Sequence, residues 1–321
     1  MGNAAVAARA QNASNAAAKA LIAKAVSATD IETSASPPFR MEARIQVQLG
    51  QGQPEKGKLV WIWTPLGWWH NELTLSNYRS VEISGGKHAW ITSTLNYLPF
   101  PAYLTEQALN VVGWLQQARG QALSGPETSD TGEVCVKTAT ASQVYRYCFN
   151  PTTGTLRRVV DSVWNLTFWY SDYEKFGAKT FPRLMQVAFT GESPFVEVRI
   201  VQLAEIDQPD LRLFLPMKGA RQLPTAAQCG QVEGAKIRKL VRPKYPREAQ
   251  NAGISGVVKL YAEVGVDGVP RGMWPLNSAA PILTRAAIDA VKQWRYRPRT
   301  CQKDGWRLRQ IVTVTLVFRS P

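Results

Sequence analysis

The sequence has few of the residues on which enzymes most often rely. It contains 2 histidines and 4 cysteines among 321 residues. It has no Gly-x-Ser-x-Gly elbow, no phosphate-binding loop and no His-Glu-x-x-His motif. His70 and His88 both lie on predicted strands within aromatic runs, which is typical of a structural role. The sequence therefore predicts a protein that is not an enzyme, and it predicts no cofactor.

Long apolar runs are also absent. No stretch of about 20 apolar residues occurs, so the sequence predicts no transmembrane helix. The first residues are rich in Ala and Asn and lack the charged start and apolar centre of a signal peptide. We therefore expect neither a membrane anchor nor a signal within this sequence.

Acidic residues are scarce towards the C-terminus. The net charge of the chain is +14, and residues 231–321 carry 17 Lys and Arg against 6 Asp and Glu. A basic domain can bind nucleic acid, but no recognition motif accompanies this charge. We expect no nucleic-acid partner, and interpret the charge as a surface that faces an acidic partner or favours solubility.

The chain is longer than one typical domain, and its patterning changes along its length. Amphipathic helices are predicted over 15–29 and 101–117. Around them, alternating segments separated by Gly and Asn predict antiparallel strands. This order is typical of a curved sheet or open barrel with helices. The predicted strands are 39–49, 58–64, 69–75, 78–84, 88–93, 133–138, 143–150, 156–161, 165–171, 184–189 and 196–204.

Tryptophans are concentrated in the first predicted sheet. Trp61 and Trp63 lie two residues apart on one strand and so share a face. Trp69 and Trp90 lie on nearby predicted strands. These four side chains predict an apolar cradle for a lipid or acyl ligand. The alternative is that they fill an ordinary core.

The last quarter of the chain predicts one compact domain. A strand ends near Val264, Asp267-Gly268 supplies a hairpin turn, and a second strand follows. Apolar residues at helical spacing predict a helix over 281–294, and residues 310–318 form a clear strand. The order is strand, strand, helix, strand.

This order resembles the C-terminal domain of the TonB family, the energy transducers of the Gram-negative cell envelope. The resemblance covers about the last ninety residues, and one departure is that Arg242 and Lys244 stand where the family usually has glutamines. The residues that carry it are Tyr245-Pro246, Gly253, Gly256, Asp267-Gly268, Ala286-Ala287, residues 293–298 and the final strand.

The TonB resemblance implies a function in coupling. The last strand of the C-terminal domain would lie at a sheet edge. It would bind a short peptide by β-augmentation, and that peptide is the box of an outer-membrane transporter. The inner-membrane proton-motive-force complex would be a second partner. The alternative is that this edge pairs with itself or packs on the first domain. The predicted partner-binding residues are Arg242, Pro243, Lys244, Tyr245, Pro246, Gln310, Ile311, Val312, Thr313, Val314, Thr315 and Leu316.

The N-terminal region resembles the periplasmic lipoprotein carriers of the LolA/LolB type. The resemblance rests on the opening helix, on residues 40–43, 56–63 and 147–156, and on Trp68-Trp69. It implies a half-barrel whose concave face holds acyl chains.

The cysteines are expected to form two disulfides. Cys135 and Cys148 lie on consecutive strands of a predicted hairpin, where cross-strand neighbours come close enough to bridge. Cys229 and Cys301 flank the C-terminal domain. An even number of cysteines in an envelope protein favours disulfides. The alternative is four free or buried thiols; no Cys-x-x-Cys spacing indicates a metal site.

Together these patterns predict an α+β protein of the Gram-negative periplasm or cell envelope. Residues 1–218 are expected to form the antiparallel domain, 219–232 a linker and 233–321 the small β-β-α-β domain. The expected function is a TonB-type transducer or coupling protein that supports transport of siderophores or nutrients. The alternative is a carrier of lipoproteins or hydrophobic ligands that uses the C-terminal domain for docking.

Overall fold

The structure, a computed structural model, describes residues 2–48, 53–139, 144–224, 229–277 and 279–319. The chain forms two compact units. Unit 1 comprises residues 1–86 and 103–216, and unit 2 comprises residues 87–102 and 217–321. Residues 87–102 therefore join unit 2 although they lie far from it in sequence. Within the described ranges no helix is both long and apolar enough to cross a membrane.

Unit 1 is built on a large antiparallel sheet. Its strands are β1 (Phe39–Val47), β2 (Glu55–Trp63), β3 (Trp69–Leu75), β4 (Tyr78–Gly85), β6 (Leu123–Thr128), β7 (Val134–Ala139), β8 (Val144–Phe149), β9 (Leu156–Asp161), β10 (Leu166–Phe176), β11 (Lys179–Phe189) and β12 (Val196–Glu205). The strand between β4 and β6 in sequence, β5 (His88–Ser93), belongs to unit 2.

The strands of unit 1 follow one another in the order β4-β3-β2-β1-β12-β11-β10-β9-β8-β7-β6. β1 and β12 join the two halves of the chain along their full lengths. In β1 every second side chain, from Phe39 to Val47, is buried, while Arg44 and Gln46 between them are exposed. This alternation gives the sheet one apolar face, as the sequence predicts.

Helices cover the apolar face of this sheet. They are α1 (Gly2–Thr29), α2 (Phe100–Leu109) and α3 (Val111–Arg119), followed by a short 3-10 helix at Leu211–Phe214. α1 contacts α3, β6 and β11. Its buried residues Ala18, Ile22 and Ala25 form the predicted stripe, while Lys19 and Lys24 are exposed.

The single helix predicted over 101–117 is wrong, because the chain forms two helices that meet at Asn110. The backbone of Asn110 leaves the helical region, with φ −77° and ψ 43°. Gly113 makes room for this break, since a Cβ there would collide with the Asn110 side chain. Asn110 still accepts a backbone hydrogen bond from Trp114 at 3.0 Å, so the next helix begins at once.

Unit 2 contains the predicted β-β-α-β order with several short additions. Its helices are α4 (Arg247–Asn251) and α5 (Pro281–Val291), and its strands after β5 are β13 (Arg221–Leu223), β14 (Val232–Glu233), β15 (Lys236–Lys239), β16 (Gly256–Val264), β17 (Pro270–Pro275), β18 (Arg295–Arg297), β19 (Arg299–Cys301), β20 (Arg307–Leu308) and β21 (Gln310–Phe318).

The core of unit 2 lies between α5 and the sheet β17-β16-β21. Leu283, Ala287 and Val291 of α5 pack against Val258 and Leu260 of β16. Pro281 occupies the first helical turn, where its missing N–H loses no hydrogen bond. The helix ends at Val291, three residues before the predicted end, yet Trp294 remains in the core.

The predicted linker contains regular structure in its described part. β13 pairs with β5, with Arg221 opposite Ile91 and Leu223 opposite Ala89. β14 pairs with β19, with Val232 opposite Cys301. The strands β6, β13–β15 and β18–β20 were not expected from the sequence, because each is short and its apolar residues do not alternate clearly.

Candidate functional site

The final strand, β21, lies at the end of its sheet. It pairs with β16 over its whole length, from Gly256 opposite Phe318 to Val264 opposite Gln310. In the order β17-β16-β21 its other side pairs with no described strand. A row of backbone N–H and C=O groups on that side is therefore available to an added strand.

The two faces of β21 differ as the sequence predicts. Val314 and Phe318 are buried against the core of α5, and Val312 and Leu316 pack on the same core. On the opposite face the side chains of Thr313, Thr315 and Val317 are exposed. A peptide that adds to this edge would lie beside Thr313 and Thr315.

The predicted contact segment, residues 242–246, lies beside one end of β21. The ring of Tyr245 packs edge-on to that of Phe318, with ring centroids 5.9 Å apart. The Tyr245 hydroxyl donates to the carbonyl oxygen of Ile254 at 2.8 Å, which fixes the loop. Arg242 and Lys244 are exposed. The structure thus brings the two predicted parts of the site together.

The outer face of β16 is covered by a segment that sequence reasoning missed. Tyr261 donates its hydroxyl hydrogen to the carbonyl oxygen of Leu98 at 3.1 Å. The backbone N–H of Leu98 donates to Glu263 Oε2 at 2.7 Å. Phe100 stacks on Trp274 with centroids 5.9 Å apart. The only sequence signal was the aromatic Tyr97 to Phe100 stretch, which gives no indication of its partner.

Glu263 is a buried carboxyl group, 2% exposed. Burial raises its pKa, and the nearby guanidinium groups of Arg309, Arg221 and Arg271 oppose that shift. Arg309 Nη1 lies 3.6 Å from Glu263 Oε2. The three arginines also line a cavity of about 530 Å³, together with residues 91–96.

Three of the four tryptophans of the predicted cradle lie in unit 1 and the fourth lies in unit 2. Trp63 is buried and stacks on Phe39, with centroids 5.6 Å apart. Trp69 is half-buried opposite Trp63, on β3. Trp90 belongs to unit 2, where it pairs with Gln222. Of the four, Trp61 alone lines the cavities of unit 1 described below.

Two small cavities of about 210 and 240 Å³ meet at Trp61. Both are also lined by Leu109 and Asn110, where α2 ends. Trp61 Nε1 and Asn71 Oδ1 are buried and have no hydrogen-bond partner. Glu32 lines the smaller of the two cavities. A ligand acceptor at Trp61 Nε1, or a ligand donor at Asn71 Oδ1, would satisfy these orphan atoms.

Both predicted disulfides are confirmed. Cys135 and Cys148 are directly opposite each other on β7 and β8 and are bonded. Cys229 and Cys301 are bonded across 72 residues of sequence. Glu133 lies beside Cys135 and Cys148. Because these two cysteines are bonded to each other, the group offers no free thiolate to a metal.

Both histidines make structural contacts. His70 Nδ1 lies 2.9 Å from the carbonyl oxygen of Leu213, and His88 Nδ1 lies 2.9 Å from Gln222 Nε2. Each contact joins segments that are distant in sequence.

The C-terminal part of the chain is similar to a known family. Residues 241–319 match the family of the Gram-negative bacterial TonB protein C-terminal. The matched range of the TonB C-terminal family begins just before Tyr245 and ends just after β21, so it includes the whole edge site. No curated protein matches the chain in sequence.

Solved structures similar to the chain cover about the length of unit 1. A DUF1329 family protein from Desulfovibrio piger is 13% identical, with a TM-score of 0.44 over 63% of this chain and 97% of its own. A LolA superfamily protein from Nitrosomonas europaea is 13% identical, with a TM-score of 0.41 over 61% and 96%. A putative outer membrane lipoprotein-sorting protein domain from Vibrio parahaemolyticus is 8% identical, with a TM-score of 0.39 over 61% and 95%.

Proposed function

We propose that this protein is a periplasmic coupling protein whose unit 2 binds a peptide of an outer-membrane transporter. The peptide adds to β21 as a further strand. The observation that carries the proposal is the unpaired edge of β21, with Tyr245 packed at its end on Phe318. This edge lies within residues 241–319, which match the TonB C-terminal family.

Backbone pairing would supply most of the affinity. Each added hydrogen bond contributes only about 1 kcal/mol net, so several must form together. The exposed Thr313 and Thr315 give this strand a polar outer face. Arg242 and Lys244 add positive charge beside the peptide's path and favour an acidic residue in it. The proposed role is binding and coupling, without catalysis.

A series of N-methylated transporter-box peptides tests this mode of binding. In an added strand, alternate N–H groups point to β21 and the others point away. Methylation at alternate residues should therefore abolish binding to the full chain, and methylation at the residues between should leave the affinity within about twofold. Equal effects at all positions, or none, would show that the peptide does not bind as a strand.

A second candidate function is transport of a hydrophobic ligand by unit 1. The observation that favours it is the pair of cavities that meet at Trp61, with two buried orphan polar atoms in their walls. Each cavity is smaller than the roughly 300–1,000 Å³ of typical ligand pockets. An acyl ligand would therefore have to join the two cavities, and this function ranks second.

Tryptophan fluorescence during titration with a fatty acid tests the carrier function. Binding at Trp61 should change the emission of the wild type but not that of Trp61→Leu. The matched control is Trp68→Leu, because Trp68 packs on Phe214 outside both cavities. If neither the wild type nor the control responds to the fatty acid, unit 1 does not bind acyl chains.

A further inference from the structure

Four cations lie on one face of a two-stranded ribbon in unit 2. β15 and β18 pair with Lys236 opposite Arg297 and Lys239 opposite Arg295. Tyr296 lies between the two arginines and is buried in the core. Because successive strand side chains alternate, Arg295 and Arg297 point away from that core. The four-cation face comprises Lys236, Lys239, Arg295 and Arg297, all of which are exposed.

An irregularity in β15 creates this face. Lys236 and Lys239 are three residues apart and would normally point to opposite sides of a strand. The register shifts between Ile237 and Lys239, so the two lysines face the same way. Such bulges re-aim side chains and are typical of functional edges.

The positive charge of this face is only partly balanced. Glu233 accepts from Lys236 Nζ at 2.7 Å and lies 3.1 Å from Arg297 Nη2. Among the described residues no carboxylate pairs with Lys239 or Arg295. The unbalanced positive charge therefore favours an anionic partner.

An exposed aliphatic side chain accompanies the charge. Leu240, just after the ribbon, is 54% exposed. Ile237 is opposite Tyr296 and so lies on the other face of the ribbon. Cations interspersed with exposed aliphatic residues are typical of surfaces that bind anionic membranes. Nucleic-acid grooves instead present aromatic rings for base stacking, and the one aromatic ring of this ribbon, Tyr296, is buried.

We propose that the four-cation face, with Leu240 beside it, docks unit 2 on an anionic phospholipid surface. The cations lie over the lipid phosphates, and Leu240 enters the interfacial region. This function is independent of peptide binding at β21, because it uses different residues and a different strand. It would hold the edge of β21 near a membrane.

Cosedimentation of the full chain with vesicles tests the proposal. The chain should bind vesicles of phosphatidylglycerol and phosphatidylcholine at low ionic strength, and should not bind phosphatidylcholine alone. High salt should release it, because exposed charges are screened. Each cation contributes about fivefold to the partition coefficient, the equivalent of about 1 kcal/mol.

The decisive variant is Lys236→Gln/Lys239→Gln, which should lower the partition coefficient about 25-fold. The matched control is Lys56→Gln/Lys58→Gln, which removes the same charge from two exposed positions of β2. Leu240→Ser should weaken binding without a change in charge. The melting temperatures of all three variants should stay near that of the wild type, since none of the changed side chains is buried.

Three results would overturn the proposal. The first is failure of the wild type to bind anionic vesicles at low salt. The second is an equal loss of binding in both double-lysine variants, which would show that net charge alone matters. The third is binding to polyglutamate in preference to vesicles, which would identify an acidic peptide as the partner of this face.

Discussion

Tyr245 packs edge-on against Phe318, with the two ring planes at 64°. This contact joins the loop that carries Arg242 and Lys244 to the last residue of the edge strand. Phe318 is buried and Tyr245 is half-buried, so part of the Tyr245 side chain remains accessible to solvent. The contact therefore couples the stability of the strand end to the shape of the proposed peptide site.

Two substitutions of Tyr245 should distinguish the contribution of its hydroxyl hydrogen bond from that of its ring contact. Tyr245→Phe removes the bond to Ile254 and should lower the free energy of unfolding by about 1 kcal/mol, with little loss of peptide affinity. Tyr245→Ala also removes the ring contact. It should lower the free energy of unfolding by about 2–4 kcal/mol and lower the affinity for the peptide. Urea unfolding and peptide titration measure both effects. Equal peptide affinity in the two variants would show that the ring is not part of the site.

Proline in the edge strand should block strand addition. Thr315→Pro removes a backbone donor and places a ring in the pairing line, so a transporter-box peptide should no longer bind. Thr313→Ala changes an exposed side chain and leaves the backbone intact, so affinity should barely change. The proline variant must first show a melting transition like that of the wild type. A folded Thr315→Pro protein with wild-type affinity would place the peptide elsewhere.

Glu263 should make the stability of unit 2 depend on pH. Because burial raises its pKa above the ordinary value of 4.5, the folded state favours the protonated form. Its contribution is complete below that ordinary value and is lost as pH rises through the raised pKa. Glu263→Gln keeps an acceptor for the Leu98 N–H and should abolish this part of the pH dependence.

Urea unfolding of both proteins from about pH 4 to about pH 8 measures this difference. The free energy of unfolding of the wild type should fall relative to that of Glu263→Gln as pH rises. A constant difference across the range would show that Glu263 has the same pKa in the folded and unfolded states. A change of the opposite sign would show that the guanidinium groups of Arg309, Arg221 and Arg271 outweigh burial.

The two disulfides should differ in their effect on stability. The Cys229–Cys301 bond closes a sequence separation of 72 residues and the Cys135–Cys148 bond one of 13. Loop-closure entropy then gives a loss of about 4 kcal/mol for Cys229→Ala/Cys301→Ala and about 3 kcal/mol for Cys135→Ala/Cys148→Ala.

Thiol titration and unfolding test this difference. The unreduced, unfolded wild type should show almost no free thiol, and each double variant should unfold at a lower denaturant concentration than the wild type. Free thiols in the wild type would contradict the bonds themselves. A larger loss for the Cys135–Cys148 pair would show that closure entropy is not the main contribution.

The sequence by itself determined the local faces of the elements. Alternation in β21 places Val314 inside and Thr315 outside, and the helical spacing of α5 places Ala287 and Val291 in the core. The period of the apolar residues and the turn residues predict such features, because the features depend on neighbours within a few residues. The Cys135–Cys148 pair is another local feature, since one hairpin brings the two cysteines together.

Only the tertiary structure decided which distant segments meet. It assigns residues 87–102 to unit 2, joins Leu98 to the buried Glu263, and places Trp90 and Trp61 in different units. It also breaks the predicted second helix at Asn110 and re-aims Lys239 through the bulge in β15. Periodicity does not predict these features, because a pattern shows which face of a segment is apolar and leaves its packing partner open.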